Sequence, residues 1–173
     1  MNKTLGILGG MGPLATSYFY NMIVCNTDAL TDQEHINMVI LNDVLIPDRT
    51  SFILGNGVNP LPRLIEDIKK LESLEVDLIA VPCNTCTFFY DQMQSVTNIR
   101  ILNMIKDTVN KLKEDNVEKV MLLATSGTIK SGLYQKELEC SSIEYVLPNI
   151  DKIMFLIYER IKKGIYFLYW KPI

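Results

Sequence analysis

The chain has 173 residues, of which 48% are hydrophobic, and a formal net charge of −3. This length and apolar content suffice for one large or two small globular domains with buried cores. Lysine and arginine form no basic stripe, so the sequence lacks the electrostatic footprint of a nucleic-acid or anionic-membrane binder. No apolar run approaches the roughly 18 residues that a membrane span requires. We therefore predict a small-molecule partner, with no nucleic acid and no membrane.

The first ten residues, "MNKTLGILGG", contain too short an apolar stretch for the core of a signal peptide. The expected location is cytoplasmic, where cysteines are reduced and a disulfide framework is not expected. A single histidine, His35, is too few to complete a zinc site, so no metal is predicted.

Short apolar runs alternate with longer segments of helical periodicity, as expected for parallel strands joined by helices. Strands are predicted at residues 4–10, 36–43, 76–82 and 143–148, and at the start of the segment 118–138. Helices are predicted at residues 13–29, 60–74, 85–96, 103–116 and 150–164, and at the end of 118–138, with a loop over 44–60. The sequence thus predicts an α/β fold.

Two segments resemble each other, "GILGGMGPLATSYFY" in the first half and "VMLLATSGTIKSGLY" in the second. Each is a strand that ends in small residues before a tyrosine-bearing helix, which indicates two α/β units at residues 1–99 and 100–173. A counterpart of the Cys83 loop in the second unit would fall beyond Ile173, so that unit is predicted to be incomplete. The aromatic tail "IYFLYWKPI" is interpreted as a foreign ending.

The glycine-rich turn "GGMGPLA" matches the dinucleotide pattern G-x-G-x-x-A at Gly10, Gly12 and Ala15. The match is weak, because the acidic residue expected about 20 positions later is absent at that spacing. Such a turn also suits a carboxylate at a helix N-terminus, or it is only a tight turn. Both interpretations stay open, and a P-loop is excluded because its lysine motif is missing.

The stretch "PCNTC" admits three interpretations: a redox pair, two packing cysteines, or one activated thiolate. In the third, Cys83 is the thiolate, while Asn84 and Thr85 present an amide and a hydroxyl to a substrate. A helix N-terminus lowers a thiol pKa from about 8.5 toward neutrality. Such a thiolate attacks a carbonyl or removes a carbon-bound proton.

Further candidate residues fall at the carboxyl edge of the predicted sheet, where ligands bind in such folds. Arg49 suits bidentate carboxylate recognition, or it forms a solvated ion pair with Asp48. Thr125 and Thr128 in "ATSGTIKSG" favour a second anion-binding turn or simple N-capping. Lys162 is either a ligand-binding cation or a favourable charge at a helix C-terminus.

Taken together, "GGMGPLAT", "DQEHINMVILND", "IPDRT", "PCNT", "ATSGTIKSGLYQ" and "IYERIKKG" resemble the aspartate/glutamate racemase family. The similarity is greatest to its aspartate racemase-like, broad-specificity branch and runs from Met1 to about Gly164. It implies two pseudo-symmetric Rossmann-like parallel-sheet units with the site in the cleft between them. It also implies an amino-acid substrate of the aspartate or glutamate type, no cofactor, and a tendency to form homodimers.

In this family one thiolate removes the α-proton and a thiol from the other unit returns a proton to the opposite face. The resemblance implies that Cys83 is one of these acid/base thiols. It implies substrate-binding roles for the residues at the matching positions, which hold the α-carboxylate and ammonium (Asn84, Thr85, Thr125, Thr128), line the pocket (Met11, Gly12) or face the side-chain carboxylate (Arg49, Lys162).

The sequence departs from the family at two points. Cys86 and Thr87 stand where the family usually has alanine and histidine, and Cys86 is interpreted as a packing residue. The second cysteine, from a "GCTEL"-type loop, has no counterpart before Ile173. We therefore predict a truncated or frameshifted family member that is inactive or poorly active. The alternatives are an inactive amino-acid-binding or interaction module and, less favoured, a C-x-x-C oxidoreductase.

Overall fold

A computed structural model describes residues 3–165. Residues 166–173, which form nearly all of the tail interpreted as a foreign ending, lie outside that range. The predicted α/β fold with parallel sheets is confirmed. No helix within residues 3–165 has both the length and the apolar character needed to cross a membrane.

The larger sheet has four parallel strands in the order β2-β1-β3-β4. These strands are β1 (Thr4–Gly9), β2 (Asn37–Asn42), β3 (Leu78–Ala80) and β4 (Arg100–Ile101). The central strand β1 pairs with β2 from Thr4↔Asn37 to Gly9↔Asn42, and with β3 from Leu5↔Leu78. All four strands point the same way, so the loops that follow them meet at one edge of the sheet.

A second, smaller sheet is formed by β5 (Lys119–Met121) and β6 (Glu144–Val146), which are also parallel. Eight α-helices lie within the described residues, and their bounds are α1 (Pro13–Asn26), α2 (Arg49–Ile53), α3 (Leu61–Ser73), α4 (Tyr90–Gln94), α5 (Met104–Glu114), α6 (Ser126–Ser131), α7 (Leu133–Cys140) and α8 (Ile150–Phe155).

Local sequence explains several of these boundaries. Helix α1 begins at Pro13, because proline has no N–H to lose at a first helical position. Helix α5 begins after Asn103, whose side chain accepts a hydrogen bond from the backbone N–H of Lys106. Helices α6 and α7 are separated by Gly132, which adopts a left-handed φ of 69°.

Each half of the chain has its own apolar cluster. In the first, Leu64, Ile68 and Leu71 of α3 are fully buried, as expected for one face of an amphipathic helix. The second cluster packs α5 and α7 against β6 and consists of Ile105, Val109, Tyr134, Leu138 and Ile143 with partly buried neighbours.

Four predicted elements differ from the structure. The loop 44–60 contains α2, because Asp48 caps it by accepting from the backbone N–H of Ser51 at 2.7 Å. The helix predicted over 85–96 is a 3-10 turn (Asn84–Phe89) followed by α4. The helix predicted over 150–164 is α8 followed by a π-helical turn (Leu156–Arg160) and a 3-10 turn (Ile161–Lys163). Helix α1 ends at Asn26, three residues before its predicted end.

The glycine-rich turn gives a stability prediction. Gly10 has a φ of 93°, and a Cβ added there would overlap the backbone of Asp43. We expect Gly10→Ala to cost about 1–3 kcal/mol more than Gly55→Ala, because residue 10 is both strained and crowded. Gly55 is the matched control, with a φ of 87° and nothing within 4 Å of an added Cβ. Urea unfolding measures both variants, and equal losses would contradict the predicted crowding.

Candidate active site

A cavity of about 590 Å³ opens at the carboxyl edge of the larger sheet. Its walls come from both halves of the chain. The first half contributes residues 10–15 after β1, residues 44–50 after β2 and residues 82–85 after β3. The second half contributes residues 122–125, Tyr134 and part of residues 157–162. The cavity therefore lies between the two halves.

The residues predicted from the sequence converge on this cavity. Its lining includes Met11, Gly12, Arg49, Cys83, Asn84, Thr85, Thr125 and Lys162. Thr128 is almost fully buried behind the wall, where its hydroxyl lies 2.9 Å from that of Thr85 and 3.1 Å from that of Thr125.

Cys83 lies at the start of the 3-10 turn that follows β3, and it is half-buried. Its backbone carbonyl accepts from the N–H of Cys86 at 3.1 Å. A hydrogen bond from the Cys86 thiol, assisted by the positive charge of Arg49, outweighs desolvation and lowers the pKa of Cys83 to about 6. This environment favours the thiolate form of Cys83.

Cys86 has a second role beside packing. It is fully buried in the first apolar cluster, as the packing interpretation requires. Its thiol also donates to Cys83, and this bond together with burial raises the pKa of Cys86 well above its usual value. The i,i+3 spacing of "CNTC" was the available signal, since one 3-10 turn brings such side chains to the same face.

This pairing predicts how the titration of Cys83 depends on Cys86. In Cys86→Ala the thiolate loses its hydrogen-bond donor, so the pKa of Cys83 should rise from about 6 toward the ordinary value near 8.5. The pH dependence of Cys83 alkylation by iodoacetamide measures the midpoint, with Cys140→Ala as a control at an exposed position. An unchanged midpoint in Cys86→Ala would rule out the donor role.

Arg49 is buried, with 7% of its surface exposed. Its Nη1 donates to the carbonyls of Ile46 (3.2 Å) and Pro47 (3.0 Å), and its Nη2 donates to the carbonyl of Met11 (3.1 Å). Its Nε has no partner among the described residues. The guanidinium therefore ties the glycine-rich turn to the loop after β2.

Asp48, Tyr158 and Lys162 form a polar cluster at the rim of the cavity. The carboxylate of Asp48 accepts from the backbone N–H (2.7 Å) and hydroxyl (2.9 Å) of Ser51 and from the hydroxyl of Tyr158 (3.2 Å). The Lys162 ammonium lies 4.0 Å from Asp48 and 4.0 Å from the centre of the Tyr158 ring. Partial burial lowers the pKa of Lys162. The sequence did not predict Tyr158, although it precedes Lys162 by one helical turn.

Three threonine hydroxyls form a closed group at the base of the cavity. The Thr85 hydroxyl lies 3.0 Å from that of Thr125 and 2.9 Å from that of Thr128. The Thr50 hydroxyl donates to Thr125 at 3.4 Å. Thr125 also accepts from the backbone N–H of Thr128 at 3.2 Å, so its N-capping role is confirmed. Its hydroxyl nevertheless reaches the cavity wall.

Tyr134 is a further cavity residue that the sequence did not predict. Its hydroxyl donates to Oδ1 of Asn84 at 2.6 Å, across 50 positions of sequence. The only signal was its place at the end of "VMLLATSGTIKSGLY", the second of the two similar segments.

Comparison with known proteins gives consistent matches. A family model described as Asp/Glu/Hydantoin racemase matches residues 8–156. The broad specificity amino-acid racemase RacX of Bacillus subtilis (strain 168) is 30% identical over 149 residues, which cover 82% of this chain and 63% of that protein. The chain thus spans less than two thirds of the length of this relative.

Solved structures give the same match. The aspartate racemase of Picrophilus torridus has a TM-score of 0.86 and 36% identity, covering 94% of this chain and 71% of that one. An aspartate racemase homologue from Pyrococcus horikoshii OT3 has a TM-score of 0.73 and 27% identity, covering 95% of this chain and 73% of that one.

Proposed function

The chain belongs to the Asp/Glu/hydantoin racemase family, and on this basis we propose that it acts at the α-carbon of a small acidic amino acid. In this proposal the thiolate of Cys83 is the base. It takes the α-proton onto its sulfur, and the electron pair of the broken C–H bond stays on the α-carbon.

The observation that carries the proposal is a thiol of lowered pKa at a cavity rich in hydrogen-bond donors. An α-proton is far less acidic than a thiol, so proton removal is useful only if the resulting charge is stabilised. That charge spreads into the α-carboxylate. The hydroxyls of Thr85 and Thr125 and the amide of Asn84 line the same cavity and suit this carboxylate.

The positive charges at the cavity support a substrate whose side chain carries a carboxylate. Arg49 and Lys162 both line the cavity, and Lys162 lies at its rim beside Asp48. Each cation suits a second carboxylate. The aspartate racemase of Picrophilus torridus, at 36% identity, is named for such a substrate.

Among the described residues, Cys83 is the one cysteine that lines the cavity, because Cys86 is buried behind it and Cys25 and Cys140 are exposed. Inversion requires an acid and a base on opposite faces of the α-carbon. Removal and return of a proton by Cys83 alone takes place on one face of the α-carbon. Such a reaction exchanges the α-hydrogen with solvent and retains the configuration.

The test is Cα–H exchange by the purified chain in D₂O, with L-aspartate and D-aspartate in separate samples and no cofactor added. Proton NMR follows the loss of the Cα–H signal, and chiral chromatography follows inversion. We expect one enantiomer to exchange faster than it inverts. Binding by calorimetry without exchange of either enantiomer would replace the proposal with an inactive binding module. If the chain neither bound aspartate nor exchanged its Cα–H, the proposal would be rejected outright.

A further inference from the structure

The hydrogen bond from Tyr134 to Asn84 joins the second half of the chain to the residue that follows Cys83. Tyr134 is the second residue of α7, and both Tyr134 and Asn84 line the cavity. Their 2.6 Å separation is at the short end of the range for O–H···O bonds. The orientation of an amide beside the reactive thiol is therefore tied to a distant tyrosine.

The position of the Tyr134 hydroxyl is determined by packing contacts that lie outside the cavity. Tyr134 is only 8% exposed, and it packs in the second apolar cluster with Leu138 and Ile143. The left-handed turn at Gly132 fixes the direction in which α7 begins. Because the ring is held by this packing, the hydroxyl stays in place while the shorter Asn84 side chain adapts to it.

An asparagine amide has one end that accepts hydrogen bonds and one end that donates them. Tyr134 donates to the carbonyl oxygen of Asn84, which leaves the two N–H groups for a ligand. An N–H donor is favourable for a carboxylate oxygen and unfavourable for an ammonium group. The direction of this bond therefore assigns Asn84 to the carboxylate of a ligand.

We propose that Tyr134 is a positioning residue that holds the Asn84 amide with its NH₂ group toward the cavity, which makes the space beside Cys83 selective for carboxylates. The proposal deepens the proposed function, on which it rests only for the identity of the natural ligand. Without the hydroxyl, the amide is free to rotate by half a turn. Its carbonyl oxygen would then meet a carboxylate unfavourably and a neutral amide favourably.

The test uses two reagents that alkylate the same sulfur, iodoacetate and iodoacetamide. They differ only in carrying a carboxylate or an amide next to the reacting carbon. Peptide mass spectrometry gives the rate of each reagent at Cys83, and the exposed Cys140 is the internal reference in every sample. Both reactions require the thiolate, so a change in the pKa of Cys83 cancels in the ratio of the two rates.

We expect Tyr134→Phe to lower the iodoacetate-to-iodoacetamide ratio at Cys83 by about tenfold, the effect of losing one hydrogen bond to a charged group. Tyr145→Phe is the matched control, because the Tyr145 hydroxyl donates to Glu139 on the exposed surface at 3.1 Å. Its ratio should equal that of the native chain.

A double-mutant comparison separates positioning from general damage. Asn84→Leu should also lower the ratio, and adding Tyr134→Phe to it should change nothing more, since Tyr134 acts only through Asn84. Two results would overturn the proposal: an unchanged ratio in Tyr134→Phe, which includes equal slowing of both reagents, or a further fall of the ratio in the double variant.

This experiment contains no amino acid, so it is independent of the proposed reaction. A lowered ratio in Tyr134→Phe, together with no Cα exchange by the native chain, would keep the role of Tyr134 and reject the reaction. Exchange by the native chain with an unchanged ratio would keep the reaction and reject the role of Tyr134.

Discussion

Replacing Cys83 with alanine is expected to abolish Cα–H exchange while the fold is retained. Removal of a positioned general base typically costs about 10²–10⁴-fold in rate. The thiol at this position is half-buried and belongs to a side chain only one sulfur larger than alanine. The loss of packing is therefore small, and a loss of exchange would report on chemistry instead of unfolding.

The matched control for Cys83→Ala is Cys140→Ala, which removes a thiol from an exposed position at the end of α7. Exchange is followed by proton NMR in D₂O, and thermal unfolding verifies that both variants are folded. Cys140→Ala should exchange at the native rate. If Cys83→Ala exchanged within a few-fold of the native chain, Cys83 would not be the base.

Replacing Arg49 with methionine is expected to reduce both the stability of the chain and the acidity of Cys83. The change leaves the carbonyls of Met11, Ile46 and Pro47 without their donor. Each buried acceptor left unsatisfied costs about 1–3 kcal/mol, so the free energy of unfolding should fall by about 3 kcal/mol or more. The positive charge that helps to lower the pKa of Cys83 is lost as well, so that pKa should rise.

Arg49→Lys separates these two effects. A lysine keeps the charge but, as a single ammonium group, does not reproduce the planar fork that bonds three carbonyls. We expect it to lose much of the stability and to keep more of the lowered pKa of Cys83. Urea unfolding and the pH dependence of alkylation measure the two quantities. Arg49→Met with native stability and a native Cys83 midpoint would show that the guanidinium contributes to neither.

Much of the fold was predictable because strands and helices leave a local periodic signal. The segments 4–10, 36–43 and 76–82 contain β1, β2 and β3, and 143–148 contains β6. Strand β4 has only two residues, too few to show alternation. Helix α2 was not predicted and falls within the predicted loop 44–60. Its start depends on one capping side chain, Asp48, and not on an apolar stripe.

Residues of the candidate site were predictable where a charged or reactive side chain follows the end of a predicted strand. Parallel strands bring their carboxyl ends to one edge, and so Arg49 and Cys83 could be grouped before the structure was known. Tyr134 and Tyr158 could not, because their partners lie 50 and 110 positions away. Such contacts depend on packing between the two halves, for which a single sequence carries no local signal.

Whether the Cys83 thiolate removes the α-proton is tested most directly by comparing two pH profiles of the same chain. One is the Cα–H exchange rate of aspartate at low substrate concentration, which reports the ionisation of the free protein. The other is the titration of Cys83, read from thiolate absorbance with Cys83→Ala subtracted. We predict that both rise along one curve with a midpoint of about 6. Exchange that follows a different midpoint, or that persists in Cys83→Ala, would contradict a thiolate base.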